Sequence, residues 1–193
     1  MKNLFFTNPF LKYSEKSIFF VGSSLSLAGI LLAYYANLRF DGLLDVHQLG
    51  SVSLLDVSKD SAINIAVICV LLFVFGKIIN PKTRFIDILN AVLVFRIPFY
   101  VMCLLIKIPF MESFAQKMAK NSHHIQNLAI NPLQIMAVLM LAMLLLVLVG
   151  YAIWQLFNGF QTATNCKKRV HYFVFGLLII VAEAVTKVLI YHV

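Results

Sequence analysis

A chain of 193 residues with 61% hydrophobic and 12% charged residues, a mean hydropathy of +0.90 and a formal net charge of +8 uses about half the charge of an ordinary soluble domain and reads as an integral membrane protein. That composition excludes a separate soluble domain, so residues 1–193 are expected to form a single membrane domain. The basic residues sit in short loops between apolar runs, with no basic helix or aromatic-basic platform, which argues against nucleic acid as a partner.

The chain opens with a basic leader over residues 1–16 that carries Lys2, Lys12 and Lys16. The first span is then expected over 17–38, where Ser17 to Leu38 runs uncharged for 22 residues, enough to cross a bilayer. A signal peptide fits poorly, because its apolar core is about 7–15 residues and ends in a small-residue cleavage motif. Within this span Gly22, Ser26, Gly29 and Ala33 share one helix face, where a neighbouring helix can approach closely. Between residues 39 and 60 the motif LLDV occurs at Leu43 to Val46 and again at Leu54 to Val57, with Gly50 between, and reads as a small hairpin or paired loop.

The second span is expected over 61–79, with Lys77 reaching toward the near interface, and Asn80-Pro81 breaks it. The third covers 85–106 and contains Asp87, Asn90, Arg96 and Pro98. Pro109 to Lys120 places Phe110, Phe114 and Met118 at steps of four, which predicts a short amphipathic helix lying in the interface of the third loop. The fourth span, 133–157, is uncharged and ends on Tyr151, Trp154 and Phe157 as an aromatic belt. A polar connection over 158–169 leads to the fifth span, 170–191, which contains Glu183 and Lys187. The fold class is therefore all-α, a polytopic membrane bundle of five transmembrane helices. Cys69 and Cys103 fall inside apolar runs and Cys166 in a basic loop, so no disulfide framework is legible.

Loop charge sets the expected orientation. With the N-terminus cytoplasmic, Lys2, Lys12, Lys16, Lys77, Lys82, Arg84, Lys167, Lys168 and Arg169 lie inside, against five basic residues in the outer loops and four aspartates (Asp41, Asp45, Asp56, Asp60) in the first of them. The positive-inside rule then places the C-terminus outside. It also makes the inner basic loops a surface for anionic headgroups of membrane lipids, with a protein partner or a homo-oligomer as further possibilities.

A charge at mid-bilayer costs at least about 2.5–3.5 kcal/mol and calls for a partner. Arg96 is 11 residues beyond Phe85 and Glu183 is 13 beyond Val170, so at about 1.5 Å per residue the two lie level on co-directional helices. Asp87, nine residues before Arg96, faces the opposite side. An Arg96–Glu183 contact is expected, with Lys187 at i+4 from Glu183, Asn90 in the same polar cluster and Pro98 kinking the helix beside it. The cluster can be an ion pair that specifies packing, or part of a polar cavity.

Chemistry beyond this is thinly signalled. Asp45, His47, His123 and His124 are weak metal candidates without ligand spacing. Ser23, Ser24 and Ser26 lack a base at helical spacing, and phosphate-loop or zinc-protease sequences are absent. No enzyme and no cofactor is expected.

The runs WQLFNGFQTATNCKKRVHYFVFGLLIIVAEAVTKVLI and TRFIDILNAVLVFRIPF resemble bacterial members of the Yip family, named for Ypt/Rab-interacting membrane proteins. The resemblance implies five helices, a cytosolic N-terminus, a bacterial inner-membrane location and a polar set of Arg96, Pro98, Asn165, Glu183 and Lys187, without a catalytic role. The Asp-Leu-Tyr-Gly-Pro segment typical of eukaryotic relatives is absent. The expected function is a non-enzymatic membrane-organising or adaptor protein. The alternative is a permease or lipid-handling protein with a cavity around Arg96 and Glu183.

Overall fold

The computed structural model describes residues 8–108, 113 and 132–192. Among them are five helices long and apolar enough to cross a membrane: α1 (Glu15–Ala36), α2 (Leu54–Ile79), α3 (Phe85–Ile106), α4 (Pro132–Thr164) and α5 (Arg169–His192). The all-α bundle expected from the sequence is the observed architecture. The interfacial helix expected over Pro109 to Lys120 lies outside the described residues, as do His123 and His124.

Local signals explain where the helices begin and end. Ser14 caps α1 by accepting the Ser17 N–H, and Asn37 stops it in the left-handed conformation, φ 54°, which asparagine tolerates better than most residues. Helix α2 begins at Leu54 rather than Ser61. The Ser53 hydroxyl accepts the Asp56 N–H at 3.1 Å and donates to the Asp56 carboxylate at 2.7 Å, a reciprocal cap that draws the second LLDV motif into the helix. The expected hairpin is correspondingly smaller. It is one antiparallel pair, β1 (Leu38–Arg39) with β2 (His47–Gln48), whose turn spans residues 40–46 rather than Gly50. At its far end α4 continues past Phe157 to Thr164, where Asn165 takes φ 51°.

The third span is the core of the bundle. In its most apolar stretch 67% of residues are buried, against 6% in α4, so α3 is surrounded by protein while most of that stretch of α4 is left uncovered by the described residues. Helices α1, α2 and α4 pack around α3, and α5 packs chiefly on α2. The small face of α1 makes the closest approach: Gly22 lies against Leu93, and Gly29 against the Tyr100 ring with no space for a Cβ. Pro98 stays inside a continuous α3, leaving the Val94 carbonyl without its usual helical donor. Phe157, expected in an aromatic belt, instead packs on Tyr172 and Phe175 of α5 at centroid distances of 5.1 and 5.4 Å.

Candidate functional site

The segment between α1 and α2 turns back into the bundle, where Leu38, Phe40 and Leu43 are fully buried. Irregular backbone away from water persists only where protein groups satisfy its polar atoms, and three helices supply them. From α2, Asp60 accepts both arms of Arg39 at 2.7 and 2.8 Å, and Asn64 donates to the Phe40 carbonyl at 2.8 Å. From α3, Arg96 Nη1 donates to the Leu43 carbonyl at 3.0 Å. From α5, Glu183 Oε2 accepts the Leu44 N–H at 2.8 Å, and Lys187 bridges Glu183 and Asp45, each at 3.1 Å. Gly42 sits where a Cβ would meet the Glu183 carboxylate at 2.5 Å.

The Leu43 carbonyl and the Leu44 N–H are the two polar ends of a single peptide group. Arg96 and Glu183 hold opposite ends of it, so the expected direct contact is replaced by a bridged one in which a peptide dipole lies between the two charges. Depth counting placed them level correctly but said nothing about lateral spacing. Because α5 packs on α2 rather than on α3, room remains for the loop between them. Lys187 joins Glu183 at i+4 as expected.

Arg96 is 0% exposed. Its guanidinium carbon lies 4.6 Å from the Phe40 ring centroid, 5.1 Å from that of Phe99 and 5.9 Å from that of Tyr100. Each such contact, when desolvated, is worth up to about 2 kcal/mol. Among the described residues, Nε and Nη2 of Arg96 and the Tyr100 hydroxyl have no hydrogen-bond partner. Two cavities, of about 530 and 290 Å³, lie toward the end of the bundle that holds the start of α1, and neither is lined by Arg96 or Glu183. The arrangement can hold a loop.

The other candidate residues lie elsewhere. Asn90 is separate from the Arg96 cluster and donates to the Glu15 carbonyl at 3.1 Å. Arg84 pairs with Asp87 and Glu15, while Lys82, Lys167, Lys168 and Arg169 are exposed at the same end. Asp45 is engaged by Lys187, and His47 stands exposed in β2. Among the described residues no three His, Cys, Asp or Glu side chains come together as a metal set.

No family model, curated protein or solved structure matches this chain. The assignment of function therefore rests on its own residues.

In the loops, the Asp60 carboxylate bonded to Arg39 raises the Arg39 pKa. Burial pushes Asp41 above the ordinary carboxylate value, with Arg39 opposing it. Cys166 is buried despite its basic surroundings, and burial raises its thiol pKa. Sequence reasoning missed Arg39, Asp60, Asn64 and the Leu43–Leu44 peptide as parts of the site. The available signal was an apolar Phe40, Leu43 and Leu44 set inside a loop of four aspartates, a combination that favours burial of the loop's apolar side.

Proposed function

We propose that this chain is a non-enzymatic membrane-organising or adaptor protein that acts by binding, of the kind represented by the Yip family. We place it in a bacterial cytoplasmic membrane with the N-terminus inside. Arg96, Glu183 and the 38–48 loop then act as a rivet that fixes three helices, and the binding surfaces lie at the opposite end. The observation that carries this reading is the complete burial of Arg96 against aromatic rings and the Leu43 carbonyl. A transport route needs water or solute access to its intramembrane charges. The cluster of exposed Lys82, Lys167, Lys168 and Arg169 at the other end supports contact with anionic headgroups on the inner face.

Solute flux in proteoliposomes, compared between the unaltered chain and Arg96→Ala, tests the reading. Background flux in both is expected; flux that needs Arg96 would overturn it. Orientation is tested separately with Lys167→Cys, because Cys166 is buried. The new thiol should be protected from impermeant reagents in intact cells and labelled in inverted vesicles, and the reverse pattern would place the N-terminus outside. A second reading, lipid handling, is favoured by the half-open apolar groove between α1, α3 and α4.

A further inference from the structure

The groove of about 530 Å³ opens between α1, α3 and α4, with Gly22 and Pro98 at its buried base and Val21, Leu25, Ile97 and Leu148 along its sides. Its volume falls within the range of small-molecule sites, about 300–1,000 Å³. Along α1 it reaches from Ser17 to Leu25, with Tyr13 beyond the helix start, roughly 12 Å of helix at 1.5 Å per residue, comparable to the hydrocarbon depth of one leaflet, about 15 Å. That shape and lining suit a single acyl chain.

Where the groove reaches the start of α1 it meets the pocket of about 290 Å³, with Tyr13 and Ile18 lining both. The pocket is far more polar than the groove. Glu15 from the first turn of α1 and Asp87 from the first turn of α3 flank Arg84, giving two carboxylates to one guanidinium. Arg84 spends Nε and Nη2 on them, and among the described residues Nη1 has no partner and is left for a ligand. Asn90, 3% exposed, lines the same pocket, and among the described residues its Oδ1 has no hydrogen-bond partner. Spare acceptors and a net negative charge call for a ligand with an N–H-bearing cation, and the free guanidinium nitrogen calls for an anion beside it.

We infer that groove and pocket together bind an aminophospholipid, with one acyl chain in the groove, its primary ammonium on the Glu15, Asp87 and Asn90 acceptors and its phosphate beside Arg84. A purely anionic headgroup would meet two carboxylates. A choline headgroup brings the charge but no N–H to donate. The inference deepens the binding reading and rests on it in taking lipid as the bound partner.

The test is native mass spectrometry of the full chain equilibrated with equimolar phosphatidylethanolamine, phosphatidylglycerol and phosphatidylcholine of identical chains. Retention of phosphatidylethanolamine about tenfold over the other two is expected, the worth of one charge-assisted hydrogen bond. The double variant Glu15→Gln, Asp87→Asn should abolish the preference for phosphatidylethanolamine and, with Arg84 left unpaired, shift retention toward phosphatidylglycerol. Val21→Trp, which fills the groove, should lower retention of all three by about tenfold, and Leu25→Trp reads the same wall if that variant does not fold. Equal retention or a preference for phosphatidylglycerol by the unaltered protein, or a phosphatidylethanolamine preference that survives the double variant, would overturn the inference. Those outcomes leave the flux experiment untouched, so the two readings fail separately.

Discussion

Arg96 in the middle of α3 and Arg84 at its N-cap differ in the one variable that decides what a charge can do. The Arg96 residue is 0% exposed, and the Arg84 side chain 61%. At Arg96 the guanidinium is stripped of water and held by a carbonyl and aromatic faces, so losing any partner leaves a desolvated group without compensation. At Arg84 two carboxylates lie within reach, yet solvent screens the pairs and they add little to stability. The buried charge fixes the fold, whereas the solvated one remains available to a ligand. Neither role follows from the arginine itself; each follows from the backbone placed beside it.

The sharpest way to break this comparison is to exchange the charges around the buried arginine. Arg96→Ala leaves the Leu43 carbonyl without its donor and opens a void among aromatic rings, and is expected to cost about 3–5 kcal/mol, read by thermal unfolding in detergent. Because the two charges grip opposite ends of one peptide group, the double exchange Arg96→Glu, Glu183→Arg should rescue nothing. A carboxylate cannot donate to the Leu43 carbonyl, and a guanidinium cannot accept the Leu44 N–H. Recovery of stability in the double variant would mean a direct ion pair and would sink the bridged geometry.

A smaller effect is expected at Gly42. Gly42→Ala drives a Cβ into the Glu183 carboxylate and should cost about 1–3 kcal/mol through displacement of the loop. Gly150 in α4 meets nothing within 4 Å, so Gly150→Ala is expected to be neutral or to stabilise by about 0.5–1 kcal/mol through helix propensity. If the same unfolding measurement found the two substitutions equal, the tight packing of the loop against α5 would be disproved.

Much of this was legible in the chain, and what was not has a common cause. Uninterrupted apolar length predicted all five helices, and the Gly22, Ser26, Gly29 and Ala33 stripe predicted the face that meets α3. Both are local, periodic signals. Boundaries moved where a single side chain could redirect the backbone, as Ser53 does by capping α2 ahead of its apolar run. The largest departure concerned Arg96. Periodicity fixes depth and face along one helix but carries no information on which helix is its lateral neighbour, so Glu183 was placed level with Arg96 without the Leu43–Leu44 peptide between them. Aspartate-rich composition also made residues 39–60 read as no more than a small hairpin or paired loop. It concealed that Phe40 and Leu43 are buried and that Arg39 and Asp60 tie that burial to α2.

At the solvated end, Arg84→Gln should leave the unfolding temperature unchanged while altering lipid retention. A large loss of stability there would erase the distinction between the two arginines.

The smallest expected effect is a pH dependence at the rim of the buried loop. Burial raises the Asp41 pKa from 3.8, and Arg39, 3.8 Å away, only partly offsets it. The sign follows from proton binding: a carboxyl that holds its proton more tightly when folded than when unfolded opposes folding at neutral pH. That opposition fades as pH falls through the raised value toward 3.8. Asp41→Asn removes the titration, so the variant should be more stable than the unaltered chain at neutral pH by on the order of 0.5 kcal/mol, and the difference should shrink on acidification. The measurement is the gap between the two unfolding temperatures as a function of pH. A gap that widens toward low pH would show that the Arg39 attraction outweighs the desolvation of Asp41, and the rim would then resemble the surroundings of Arg84 rather than those of Arg96.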